Sequence, residues 1–377
     1  MDEKYVALAI PLFFLLIAVE LLVLRLRGPK HAYRFADSIT NLSCGVGQQV
    51  LEPFFKIIAL VPYAWLWGHA RVFTVDAAWL PGWLLLVLGV DLGYYAFHRA
   101  SHRVGFLWAV HSVHHQSEEY NLSVALRQPW LESIISPFFY LPLAVLGFPP
   151  VMYLGGVTID TLYQFWIHTR AVCKLGPVEW VMNTPSHHRV HHGIDPQYVD
   201  RNYAGIFIVW DRLFGTYEPE DREPVYGTVK PVPTWNPLAV NLLPWVDLWK
   251  MSVATRSIAD KVRVWFAPPE WRPADLGGPV TVPVADPKAY PRYDLRAGRG
   301  VQAYVVLQFA IAAAATVAYL WFESSAPLAL LAASAVVFVA TLAAWGALLE
   351  GKRWAWPLEI ARVAAGIGLV VFAMRGA

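Results

Sequence analysis

The sequence predicts an all-α integral membrane protein: a multi-span helical bundle carrying a cytosolic, histidine-rich cap. Three observations carry the prediction. The chain is 56% hydrophobic and only 15% charged over 377 residues. Its 18 Trp and 17 Tyr suit a protein with two membrane–water interfaces, where both side chains concentrate. Apolar runs of about 20 residues, long enough to span, recur at both ends of the chain.

Taken in order, residues 5–24 form the first run, with Glu20 near its end. Arg25, Arg27, Lys30 and Arg34 follow, so the positive-inside rule puts this loop in the cytosol and the N-terminus outside. The run has no small-residue cleavage site and reads as a retained anchor, not a signal peptide. Residues 43–66 form a second span despite Glu52 and Lys56, and residues 77–97 return to the cytosol. Residues 130–147 and 151–168 are joined by Gly147-Phe-Pro-Pro150, a joint tight enough for a helical hairpin that is re-entrant or spanning. Residues 169–300 read as a cytosolic cap of short helices and loops, with 265–300 as an irregular proline-rich strap. Residues 302–322, 326–348 and 355–373 give three more spans. The chain thus divides into N-terminal transmembrane helices (1–97), a histidine-bearing catalytic region (98–300) and C-terminal transmembrane helices (301–377).

A formal net charge of +2 gives no footprint for nucleic acid. Two cysteines, Cys44 and Cys173, make no disulfide framework and are expected to be reduced.

Ten of the twelve histidines fall into clusters: His98 and His102; His111, His114 and His115; His168; and His187, His188, His191 and His192. Only His31 and His69 stand apart, and each reads as an ordinary packed residue. Side chains three or four apart share a helix face about 6 Å from each other, within reach of one ion. Lys/Arg placement alone brings every cluster to the cytosolic face. Ten imidazoles gathered there point to metal. They are too many for one ion, whereas two ions with four or five histidines each fit. Five nitrogens leave one octahedral position open, as oxygen activation requires, and iron or manganese is chemically apt. Arg99 after His98 excludes the zinc-protease motif, which needs Glu there.

Asp91 and Asp160 are acids inside apolar runs, which are costly and usually functional. With Glu118 they are the expected carboxylate partners of the histidines, holding the ring nitrogen turned away from the metal. Glu119 is an alternative to Glu118. Arg127, Arg189, Arg201 and Arg212 read mainly as a solvated cytosolic face, with a lipid headgroup or reductase as the alternative.

His-x3-His, His-x2-His-His and a second His-x2-His-His on a multi-span chain resemble the fatty acid hydroxylase and sterol desaturase superfamily. The pattern falls on His98, His102, His111, His114, His115, His188, His191 and His192; His168 and His187 look like extra ligands. The stretches HSVHHQSEEYNLSVALRQ (111–128) and NTPSHHRVHHG…DRNYAGIFIVWDRLFGTYEPE (183–220) are similar to the alkylglycerol monooxygenase branch. The resemblance implies two Fe ions, dioxygen as co-substrate, and hydroxylation of an unactivated C–H bond in a lipid drawn from the bilayer. In that branch the carbon lies next to an ether oxygen and tetrahydrobiopterin supplies electrons. Arg103 stands where the branch carries Glu, which leaves the donor open between tetrahydrobiopterin and an external reductase. Sterol or fatty-acyl desaturation and ornithine-lipid hydroxylation are the rival chemistries, and metal transport is the rival without catalysis. The Ala- and Trp-rich composition suits a bacterial inner membrane.

Overall fold

The computed structural model describes residues 3–28, 32–282, 290 and 292–376. Among the described residues there is no β-strand, only two isolated antiparallel bridges, Met182 with Phe207 and Gly193 with Tyr226. Six helices are long and apolar enough to cross a membrane: α1 (Glu3–Arg27), α2 (Phe35–Ala70), α3 (Leu80–Arg103) and, at the far end of the chain, Arg299–Phe322, Leu328–Leu349 and Ala355–Gly376. These match the expected spans closely.

Helix α2 departs from expectation at its start, eight residues before the apolar run. At 36 residues it is about 54 Å long, against about 30 Å of hydrocarbon. Its polar first turns are therefore not spanning. Asp37, Thr40, Asn41 and Ser43 are buried. Asn41 reaches Ser123 (3.1 Å), and Ser117 donates to Asp37 (2.7 Å), which ties α2 to the chain beyond the second histidine cluster.

That cluster lies on α4 (Gly105–His115). The apolar hairpin follows as α5 (Glu132–Ile135), a 3-10 segment, α6 (Leu141–Leu146) and α7 (Pro150–Trp166). Gly147 makes its joint with φ 101°, and a Cβ there would lie 2.1 Å from Phe73 O, so both backbone and space demand glycine. Neither limb is among the six spanning helices. The last cluster lies on α8 (Pro185–His191) and its C-cap, His192. Three further helices, α9 (Val209–Phe214), α10 (Pro237–Ala254) and α11 (Ile258–Phe266), complete the cap before the C-terminal spans α12, α13 and α14 named above.

Bundle and cap share one core. Trp345, fully buried on α13, packs with Phe309 of α12, Ile39 of α2, Trp130 at the start of the hairpin and Trp235 of the cap. The strap expected at 265–300 lies partly outside the described residues, at 283–289 and 291. Its described part does lie against the cap: Tyr293 N donates to Glu118 (3.1 Å) and Trp235 Nε1 to Leu295 O (3.0 Å). His31 also lies outside the described residues. His69 is exposed and bonds Trp65 O within α2.

Candidate metal centre

Nine of the ten clustered histidines converge into two buried groups. His98, His102, His111, His115 and His191 form one; His114, His168, His188 and His192 form the other. Within each group one ring nitrogen per residue lies within 4.8 Å of every other. Helix geometry explains the partition. Residues four apart are offset by about 40° around the axis, whereas the residue between them at the third step points about 60° to the other side. On α4 the pair His111 and His115 therefore enters the first group, and His114 turns to the second. On α8 the pair His188 and His192 enters the second, and His191 turns to the first. The groups adjoin, with the His115 and His192 rings stacked at 4.4 Å.

The donor set fits metal ions. His98 Nδ1 meets Tyr203 O at 2.8 Å, His191 Nδ1 meets Arg201 O at 2.9 Å, His168 Nδ1 meets Gln164 O at 2.7 Å, and His114 Nδ1 meets Arg127 O at 3.2 Å. A carbonyl only accepts, so each Nδ1 carries the proton and each Nε2 presents a lone pair. Those lone pairs point at one another. His168 Nε2 lies 3.1 Å from His114 Nε2 and 3.0 Å from His188 Nε2, and His115 Nε2 lies 3.2 Å from His191 Nε2 and from His111 Nε2. Nitrogens bound to one first-row ion at about 2.0–2.1 Å lie about 3 Å apart. His98, His102 and His192 bury Nε2 with no partner at all. A cation in each group resolves both the contacts and the orphaned atoms.

Burial keeps the cap imidazoles neutral and free to bind. It lowers His115, His188 and His192 well below the ordinary imidazole value, helped by the neighbouring imidazoles. Burial alone pushes His168 down to about 4. His187 is likewise pushed to about 4, mainly by burial. The unfolded chain, with imidazoles near 6.5, binds more protons than the folded one between these values. Stability of the metal-free protein is therefore fully present above about pH 6.5 and falls as pH drops toward about 4. Chelated protein should melt at a lower temperature at pH 5 than at pH 7.5, and an equal or higher value would contradict this assignment.

His187, expected among the ligands, lies outside both groups. Adjacent helical residues diverge by about 100°, so with His188 facing the centre His187 faces away, against Tyr217 at 5.5 Å. The expected carboxylates also sit elsewhere. Asp91 accepts from Ile206 N (2.6 Å), Phe207 N (2.9 Å) and Trp210 Nε1 (2.8 Å) and has no histidine among its hydrogen-bond partners. Asp160 accepts from Gln164 (2.6 Å) and faces Asp91 across Gly205, where a Cβ would lie within 2.8 Å of both carboxyls. Glu118 pairs with Arg34 at 2.7 Å because the chain turns away after α4. Glu119 joins the same arginine, and its carboxyl is pushed up to about 7 by burial and by nearby Asp37. Arg127 and Arg189, read as solvated, are buried; Arg127 donates to Val113 O, Asn41 and Gln116, and Arg189 clasps Glu220.

The carboxylates that do face the ligands are Asp200, 3.4 Å from His102 Nδ1, and Glu132, 3.3 Å from His111 Nδ1. Burial would raise the Asp200 carboxyl, but the bonds from His102 and Arg103 hold it below its ordinary value. Asp200, Arg201 O and Tyr203 O thus position three histidines of one group from four consecutive residues. Asp200 and Asn202 take the left-handed backbone (φ 61° and 55°) that Asp and Asn tolerate best among side-chain residues. Asn202 fixes the segment by bonding His187 O (3.1 Å) and Glu218 O (2.8 Å). The one local signal in the sequence is the Asp-Arg-Asn triplet itself; no spacing rule links it to His102. Asp200→Ala is expected to cut metal affinity about 10–100-fold while the fold persists. Metal titration of the purified variant tests this, and wild-type affinity would remove Asp200 from the ligand-positioning set.

A cavity of about 800 Å³ is lined by His102, His115 and His191 of the first group and His192 of the second. Trp108, Ile194, Leu248 and Met251 line its walls, and Lys230, Asp247, Glu270 and Arg272 contribute charge.

The Fatty acid hydroxylase family model matches residues 83–216, which hold all nine converging histidines. The human alkylglycerol monooxygenase is 41% identical over 311 residues, 81% of this chain and 69% of that protein. The alkylglycerol monooxygenase of Caenorhabditis elegans is 31% identical over 92% of this chain and 72% of its own. The ornithine lipid hydroxylase OlsE of Rhizobium tropici is 26% identical over 36% of this chain and 43% of its own. No solved structure matches. With its spanning helices, its buried imidazoles and these relatives, the chain belongs to the fatty acid hydroxylase family, in the branch of the alkylglycerol monooxygenases, and is a membrane-bound lipid hydroxylase.

Proposed function

We propose that this chain is a di-iron monooxygenase acting on O-alkyl glycerolipids. The observation that supports it best is the pair of adjoining all-histidine groups beside an apolar-walled cavity. His98, His102, His111, His115 and His191 hold one iron, and His114, His168, His188 and His192 the other. The bound irons supply the redox chemistry needed to activate dioxygen. The ether-lipid substrate comes from the relatives' names.

The rest is positioning. Tyr203 O, Arg201 O, Arg127 O and Gln164 O fix the imidazole tautomers, and Asp200 and Glu132 orient His102 and His111. Trp108, Leu248 and Met251 hold the alkyl chain and keep water from the reacting carbon. The charged groups at Lys230, Asp247 and Arg272 meet the glycerol headgroup. One oxygen atom enters the C–H bond beside the ether oxygen; the other leaves as water with two electrons and two protons from the donor. The resulting hemiacetal falls apart to an aldehyde and a free glycerol hydroxyl. The donor is tetrahydrobiopterin or a reductase. The Lys/Arg-rich loops favour the cytosolic side of the membrane for this centre.

The test is incubation of iron-loaded protein in vesicles containing an alkylglycerol, with tetrahydrobiopterin or a chemical reductant, under air and under nitrogen. Oxygen-dependent aldehyde is the expected result. An oxygen-dependent hydroxylated ornithine lipid or sterol, with the alkylglycerol untouched, would replace the substrate assignment. No oxygen-dependent product from any of these lipids would overturn the reading.

A further inference from the structure

Helices α10 and α11 lie outside the six spans, yet they present an apolar stripe that no other described part of the chain covers. On α10 the stripe is Leu242, Val246, Trp249 and Val253, all on one face, with Trp249 62% exposed. On α11 it continues as Ile258, Val262 and Phe266, spaced four apart, with Ile258 80% exposed. Lys250, Arg256 and Arg263 are exposed alongside.

Two observations say what covers the stripe. The first is continuity with the bundle. Thr234 and Trp235 N donate to Glu350 at the end of α13, at 2.5 and 2.6 Å. Asn236, which caps α10, lies so close to Gly346 that a Cβ there would sit 2.4 Å from its Cα. Helix α10 therefore starts at the level of the last turn of a spanning helix, which is the membrane boundary. The second is composition. Exposed aliphatic residues and tryptophan with flanking Lys and Arg, on a helix too polar to span, are the signature of an element lying in the interfacial plane.

We propose that α10 and α11 form an interfacial element whose stripe is embedded in the lipid leaflet on the histidine side of the membrane. The opposite face of α10, through Leu248 and Met251, lines the 800 Å³ cavity. One helix thus separates the leaflet from the histidines. If the proposed lipid substrate is correct, an alkyl chain reaches the centre beside this helix without crossing water; the embedding itself does not depend on that reading.

The test uses the full chain in phosphatidylcholine/phosphatidylglycerol vesicles. Cys173, exposed and free, is changed to Ser, while buried Cys44 is kept. A nitroxide is placed through Val253→Cys or Ile258→Cys, with Leu12→Cys, on a lipid-facing turn of α1, as the lipid reference. Collision rates with dissolved oxygen and with a water-soluble nickel chelate are then compared. The expected result is that oxygen exceeds the chelate at both sites, as at the reference. Preference for the chelate would show a solvated face, and protection from both reagents would show a protein partner or second copy; either overturns the proposal. The readout needs no turnover, so a failed lipid assay leaves it intact.

Discussion

On the proposed di-iron reading, His191→Ala is expected to lower bound iron from about two ions per chain to about one and to abolish lipid oxidation. His191 is the only residue α8 contributes to the five-histidine group. It also joins that group to the loop behind it through Arg201 O. Its loss removes the nitrogen 3.2 Å from His115 Nε2 and with it the one histidine by which α8 enters this group. The effect on turnover should exceed the roughly 10–100-fold typical of losing an outer hydrogen-bond partner. His114→Ala should do the same to the four-histidine group, because His114 is the only ligand α4 sends there. His187→Ala is the matched control. It sits on the same short helix but faces Tyr217, so iron content should stay at the wild-type level. Metal analysis of the three variants, purified in parallel, checks all of this. Full iron and activity with His191→Ala, or loss of an iron with His187→Ala, would undo the partition into two groups.

That partition shows what was legible in the sequence. Spans, the all-helical class and the ligand spacing all follow from local rules: apolar length, Lys/Arg placement and the helical repeat. His98 with His102, and His111 with His115, follow from four-residue spacing alone. The same rule, applied to adjacent His187 and His188, recruits one residue too many, because it does not say which neighbour faces inward. The carboxylates were misplaced for a related reason. Asp91 lies two turns before His98 and Glu118 three residues after His115, so nearness in sequence nominated them. The groups that actually orient ligands, Asp200 and Glu132, arrive from other segments, and Tyr203, Arg201, Arg127 and Gln164 do so through backbone carbonyls that carry no residue-type signature. Long-range packing decides such contacts, and one sequence without its fold does not display it.

Asp91→Ala is expected to be strongly destabilising, and its effect should reach the metal centre. Asp91 is fully buried and accepts three hydrogen bonds from the segment after Tyr203. A buried donor left without a partner costs about 1–3 kcal/mol, so losing three places the cost at about 3 kcal/mol or more. The same segment carries Tyr203 O, which fixes the proton on His98 Nδ1. Asp211 holds its other side through Tyr203 N and Ala204 N, both at 2.8 Å, so the loop should loosen at one anchor instead of unfolding. The expected variant folds, melts several degrees lower and binds iron more weakly in the five-histidine group. Asp160→Asn separates this role from mere burial. An amide at 160 keeps the Gln164 partner and offers an N–H toward Asp91, so it should cost much less. Melting curves and iron titration of both variants decide the matter. Equal losses would mean the two carboxyls act as one unit, and unchanged iron binding in Asp91→Ala would show that the loop holds His98 without this anchor.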